Sequence, residues 1–182
     1  MGKKKEVVGI ADVIRARRLA LNTREEYKSL FFRIVMLGLA VYIIFTQVFL
    51  ITQNSGLGMF PAMKDGDLII AFRLQQEYAK NDVIVYTVDG KREVGRIIAR
   101  ETDVVDIDER GTLRVNGTVQ SGEILYPTYV KEGVEYPCKV PEGHVFILGD
   151  YRTNAVDSRD FGSIPMRSVE GKIITILRRR GL

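Results

Sequence analysis

From Ile34 to Ile51 the chain reads IVMLGLAVYIIFTQVFLI, eighteen residues without a charge, with only Thr46 and Gln47 strongly polar. A helix crossing a bilayer needs roughly 17–25 such residues at 1.5 Å each. The pattern predicts one spanning helix over 34–52. The preceding LFF (30–32) is set off by Arg33, whose long side chain can snorkel to an interface. A cleaved signal peptide and a buried core helix are the competing readings. A long positive segment with no A-x-A-like site opposes the first, and apolarity on every side opposes the second.

Beyond Asp67 the pattern shortens to strand-length runs punctuated by Gly and Asp. They are DLIIAF (67–72), DVIVYTV (82–88), EVGRIIAR (93–100), DVVDI (103–107), TLRVNG (112–117), HVFILG (144–149) and GKIITIL (171–177). Asp89-Gly90 between the second and third is a strong hairpin signal. Short strands at close spacing predict a mostly antiparallel β domain over 53–182. The stretch 125–141, with Pro127, Pro137 and Pro141, reads as a surface insertion.

Charge sets the orientation of this plan. Residues 1–33 carry nine Lys/Arg against four acids. The positive-inside rule assigns that segment to the cytoplasm and the β domain to the outside. DVIRARRLA (12–20) is either a helix lying on an anionic membrane face or a solvated one. The net charge of +4 is too weak to indicate nucleic-acid binding. One cysteine, Cys138, excludes an internal disulfide, and with one histidine, His144, it opposes a Cys/His metal site; a carboxylate-only site stays open. His144 reads as a strand-edge residue. Arg178-Arg179-Arg180 reads as a solvated tail, with lipid headgroups or an acidic partner as its other contacts.

Two motifs carry candidate chemistry. GLGMFPAM (56–63) leads into Gly66-Asp67, and GDYRTNAVDSR (149–159) is followed by FGSIP (161–165). Together they resemble the type I signal peptidase family, whose corresponding stretches read S-x-S-M-x-P-T-L and G-D-N-x-x-x-S-x-D-S-R. A third stretch, VGRIIARETDVVDI (94–107), lies against the family's V-K-R-V-I-G-L-P-G-D-x-V-E-I. The resemblance implies a signal peptidase-like antiparallel β domain on one N-terminal transmembrane helix. It implies no cofactor. The family's chemistry is that of Ser/Lys hydrolases: a serine attacks, a neutral lysine takes its proton, and a second serine holds the lysine.

Carried over residue by residue, the catalytic unit is missing. Gly58 stands at the nucleophile, Gly95 at the lysine, Ala155 at the serine that positions it, and Gly56 at a serine assisting the oxyanion. Tyr151 replaces the family's Asn. Asp150, Arg152, Asp157, Ser158 and Arg159 are retained as structural positions. Arg96 cannot act as the base, because it stays protonated. The resemblance therefore implies an inactive member in which Gly58, Met59, Pro61 and Gly95 wall a groove for an exported polypeptide. Met59 and Phe60 are read with two placements, inside the groove or dipping into the bilayer surface. Inactive relatives of this kind accompany sortase-assembled pili in Gram-positive bacteria, so a pilin subunit, a sortase or both are the implied partners. The alternative is an active signal peptidase using displaced residues, such as Ser55 with Lys91, in a register that sets Lys91-Arg92 on the family's Lys-Arg.

Overall fold

A computed structural model describes residues 9–120 and 126–178, and for 12, 16 and 19–22 the backbone alone. The Lys3–Lys5 cluster, Leu125 and the Arg179-Arg180 end lie outside the described residues. The chain divides into two compact units, 1–44 and 45–182.

The first unit holds helix α1, Ile10–Ile43; the π-helical turn Ile44–Val48 that follows in sequence falls at the boundary, all but Ile44 in the second unit. The helical stretch Thr23–Val48 is long and apolar enough to cross a membrane. The helix is 34 residues long and begins well before the apolar run, because Arg, Ala, Leu and Glu favour helix throughout 10–33. Its far end corrects the predicted span of 34–52. Phe49–Gln53 is strand β1, paired residue for residue with β2, Leu68–Phe72. FLITQ is as apolar as the helix before it, so hydropathy alone hides the change of element.

The second unit is built from two antiparallel sheets. The larger has the order β1-β2-β11-β3-β4-β9-β10, with β3 at Val83–Val88, β4 at Lys91–Arg100, β9 at His144–Leu148, β10 at Ile164–Pro165 and β11 at Val169–Leu177. The smaller has the order β7-β6-β5-β8, formed by Thr118–Val119, Leu113–Val115, Val104–Ile107 and Cys138–Lys139. Asp89 and Gly90 both take positive φ (49° and 73°) and join Val88 directly to Lys91. That is the two-residue turn whose twist matches a hairpin.

Side-chain alternation distributes the strands among three cores. On β9, Val145 and Ile147 pack with Ile84, Tyr86 and Ile97. Phe146 and Leu148 face the other way, onto Ile98, Val105 and Val115 beneath the smaller sheet. The third core gathers Leu50, Met59, Met63, Ile69, Ala71 and Val85. Met59 is 1% exposed there. It anchors its loop from within, with almost no exposed surface to offer either to a groove or to a bilayer.

Candidate functional site

The loop after β1 is held by backbone and carboxylate bonds. Asn54 is buried and donates through its side chain to the carbonyls of Lys64 (2.9 Å) and Gly56 (3.2 Å). Asp65 and Asp67 accept from the N–H groups of Gly56 and Lys64 (2.7 and 2.9 Å). Gly56 sits at φ +84°, left-handed, where a serine would be strained. Ser55 is exposed.

Gly58 and Ala155, far apart in sequence, meet here. The Tyr151 N–H donates to the Gly58 carbonyl, and the Ala155 N–H to the Tyr151 carbonyl, each at 2.9 Å. A Cβ built on Gly58 would stand 3.7 Å from the Ala155 Cβ, an ordinary contact. Gly149 closes the same corner: a Cβ there would overlap the Ala155 methyl and come within 2.6 Å of the Gly58 carbonyl. The positions that the resemblance sets against the nucleophile and its orienter are thus neighbours, and neither bears a polar side chain.

Gly95 lies in the middle of β4, opposite Ile84. A Cβ there would overlap the Ile147 Cγ2 methyl and stand 3.2 Å from the Tyr86 ring. The room a lysine stem would need is already core, and Gly95 is covered instead of lining an open groove. Burial pushes the Tyr86 hydroxyl well above its ordinary pKa, with Glu93, Asp157 and Asp160 adding to the effect. That ring is a filler at neutral pH, not a base.

The next residue settles what this strand contributes. Arg96 makes a two-pronged pair with Asp150 (Nε–Oδ1 2.8 Å, Nη2–Oδ2 2.7 Å) and donates to the Asn81 carbonyl at 2.9 Å. Lys91, by contrast, is exposed at the mouth of the 89–90 turn, roughly 13 Å along the strand from Gly95 at ~3.3 Å per residue.

The turn 149–159 is as rich in polar side chains as the Gly58–Ala155 corner is bare of them. Asp157 and Arg159 are each 1% exposed and paired at 2.8 Å through both prongs. Asp157 also accepts from the Gly149 N–H (3.1 Å) and caps the short helix α2, Ser158–Phe161, in a capping box with Asp160. The Ser158 hydroxyl accepts from the Ile147 N–H at 2.9 Å. Arg152 is buried and donates to the Gly149 carbonyl (2.8 Å) and the Thr128 hydroxyl (2.6 Å). Burial pulls its guanidinium down to about 10, so it is still charged at neutral pH.

Thr128 belongs to the stretch expected to be a surface insertion; most of its described residues are exposed, but it is tied down. From 126 to 133 the chain is a strap laid across the turn. Beyond Thr128, the Tyr129 carbonyl accepts from Arg159 (3.2 Å). Lys131 donates to the Ala155 carbonyl and to Asp160, both at 2.6 Å. Gly133 lies so close to the Asp160 carbonyl that a Cβ would overlap it. Tyr126 packs on Tyr151 (ring centres 4.7 Å apart), and Tyr151 on Phe60 (6.0 Å). These strap residues were not legible in the sequence, because three prolines mark a loop without saying what it touches. Pro61 is exposed beside this aromatic group. His144, half-buried, starts β9 with Nδ1 2.9 Å from the Glu142 carbonyl. Among the described residues no cluster of three His, Cys, Asp or Glu side chains is placed to hold a metal ion.

Known proteins give this arrangement a context. The chain is 30% identical over 132 residues to a probable thylakoidal processing peptidase 2 of Arabidopsis thaliana, covering 64% of this chain and 34% of that protein. It is 28% identical over 134 residues to signal peptidase I of Bacillus caldolyticus, covering 65% and 73%. The chain thus spans only about a third of the plant relative's length. A signal peptidase I crystal structure from Enterococcus faecalis V583 superposes with a TM-score of 0.47 at 27% identity, over 55% of this chain and 98% of that one. Residues 27–177, more than half of the chain, match the family described as signal peptidase, peptidase S26, and the chain belongs to that family.

Proposed function

We propose that this chain is a non-catalytic, membrane-anchored member of its family that binds exported polypeptides without cutting them. One observation carries the reading. The three positions that would supply nucleophile, base and orienter hold Gly58, Gly95 and Ala155, and the path of the absent lysine is filled by Ile147 and Tyr86. A hydrolase stripped of its acting unit retains little beyond binding and oxyanion effects. What remains around Gly58 and Pro61 is a surface for an extended segment, flanked by Phe60, Tyr151 and Tyr126. Backbone pairing supplies affinity in such grooves, and side chains supply selectivity. The basic segment before α1's apolar stretch orients the β unit outside the cytoplasm. By resemblance, the role is an accessory or chaperone-like one in pilus assembly, with a pilin subunit, a sortase or both as partners.

The test is binding of a labelled peptide spanning the signal segment and mature start of an exported pilin. The protein in detergent should bind it saturably and return it intact by mass spectrometry. Gly58→Leu, which places a bulky side chain at the corner, should weaken binding several-fold. Absence of binding contradicts the proposal.

The second reading is an active signal peptidase, favoured by relatives that are themselves named peptidases. It requires Ser55 to act with Lys91, which sits at the turn of a hairpin and not beside Gly58. The binding reading needs no such displacement.

A further inference from the structure

We propose that Asn116 is a site of spontaneous deamidation, that Asp103 sets its pace, and that conversion there unfastens the smaller sheet. The reaction is intramolecular. The Gly117 backbone nitrogen bonds to the side-chain carbonyl carbon of Asn116, and the bond from that carbon to Nδ2 breaks. The proton from Gly117 passes through water to Nδ2, which leaves as ammonia. Water then adds to the five-membered imide and opens it on either side, to aspartate or to isoaspartate. One water is consumed and one ammonia released.

Three observations carry this. First, of the five asparagines in the chain only Asn116 precedes a glycine; Asn22, Asn54, Asn81 and Asn154 precede Thr, Ser, Asp and Ala. A side chain on the following residue hinders attack by its nitrogen, and Gly117 has none. Second, Asn116 and Gly117 are exposed. They form the two-residue turn between β6 and β7, with φ of 52° and 77° and Val115 set opposite Thr118. Third, the Asn116 amide is held at both ends. Its Nδ2 donates to Asp103 Oδ1 (2.7 Å), and its Oδ1 accepts from the Val104 N–H (2.8 Å). Asp103 is fixed in turn by Lys80 (3.0 Å) and by the Arg100 N–H (2.8 Å). An amide so held cannot swing freely to present its carbon to the Gly117 nitrogen.

The same contacts make conversion disruptive. Burial alone would raise the Asp103 pKa, but the bonds from Arg100, Lys80 and Asn116 outweigh it and hold the carboxyl below its ordinary value. It is an anion at neutral pH. An aspartate at 116 replaces the donor with a second carboxylate facing the first, and like charges set opposite each other are destabilising. An isoaspartate adds a backbone carbon to the turn, so Val115 and Thr118 cannot keep their register. Either product loosens the clasp that ties the β6–β7 hairpin to the start of β5.

The test incubates the full chain in detergent at mildly alkaline pH, samples it over days and digests it with trypsin. Cleavage after Arg114 and Lys131 releases 115–131, in which fragmentation assigns the deamidated residue. Conversion at Asn116 should outpace that at the other four asparagines. It should run about tenfold slower than in urea, where the bond to a charged acceptor is lost. Asp103→Ala should recover most of that difference. Asp103→Asn, which keeps a neutral acceptor, should fall between, as an unfolded variant would not. Hydrogen exchange over 144–148 should stay slow in both variants, marking an intact fold. In Asn116→Asp, exchange at Val104 and over 113–119 should be faster than in the unsubstituted chain. Equal conversion in the folded chain and in urea overturns the proposal. So do Asp103 variants no faster than the unsubstituted chain, another asparagine converting first, or unchanged exchange in Asn116→Asp.

Discussion

The turn 149–159 and the corner where Gly58 meets Ala155 share atoms, yet they have opposite characters. The turn is crowded with buried charge: Asp157, Arg159 and Arg152 are sealed, and their polar atoms are engaged. Gly58 and Ala155 carry no side-chain polar atom, and neither does Gly95 in its own covered place on β4. Ala155 belongs to both regions, its methyl in the empty corner and its carbonyl holding Lys131. The difference separates two demands that an active member would make on the same residues. One is chemistry at the corner. The other is a rigid turn that shapes the surface around Gly58, and the second survives without the first.

Substitutions in the turn should show the largest effects. Asp157→Ala would leave Arg159 buried without its partner, free the Gly149 N–H and uncap α2. Breaking a buried pair costs about 3–5 kcal/mol, and denaturant unfolding should register a loss of that size. Next comes the strap. Thr128→Val removes the acceptor from the Arg152 guanidinium, and a buried donor left unmade costs about 1–3 kcal/mol. An unchanged midpoint would mean that the strap is ornament and not part of the turn.

The two glycine positions should themselves differ. Gly95→Ala forces a methyl against Ile147, and overpacking costs about 1–3 kcal/mol. Gly58→Ser has room, with its nearest neighbour at 3.7 Å, and should shift stability by no more than about 0.5 kcal/mol. Equal effects at the two glycines would contradict the picture of one closed and one open position. The same asymmetry predicts that Gly58→Ser with Gly95→Lys does not restore cleavage, because the lysine has no channel to occupy.

A modest, pH-dependent effect lies on the sheet surface. Glu170 accepts from Arg92 at 3.0 and 2.8 Å and from Thr87 at 2.6 Å, tying β11, β4 and β3. The hydrogen bonds from Arg92, above all, hold its carboxyl below the ordinary glutamate value of 4.5. A lowered folded-state pKa stabilises above the unfolded value and loses that contribution as pH falls through the folded one. Arg92→Ala should therefore cost no more than about 1 kcal/mol near neutrality, the pair being partly exposed. The difference from the unsubstituted chain should close as pH drops below 4.5.

Much of this was legible beforehand, and for specific reasons. The 89–90 hairpin is readable because Asp-Gly tolerates positive φ and the flanking residues are strand-formers. The strands at 144–148 and 169–177 are readable because apolar, β-branched runs stop at Gly or Asp. Strand β1 was not, since FLITQ continues an apolar run with no punctuation. The resemblance marks structural positions within 149–159 but not the strap on them, because Thr128 and Lys131 act through contacts 24 residues away in sequence. Nor could spacing tell that Gly95 is covered while Gly58 is open. That depends on which neighbours, Ile147 and Tyr86 or Ala155, stand over each.

The central proposal is that a chain with Gly58, Gly95 and Ala155 at these positions binds without cutting. It is tested most directly by incubating the purified chain in vesicles with a signal-peptide-bearing preprotein and quantifying the mature fragment by mass spectrometry over many hours. The account predicts no fragment above the protein-free control, and no change with Ser55→Ala or Lys91→Ala. A fragment cut at one defined site and abolished by either substitution would contradict it.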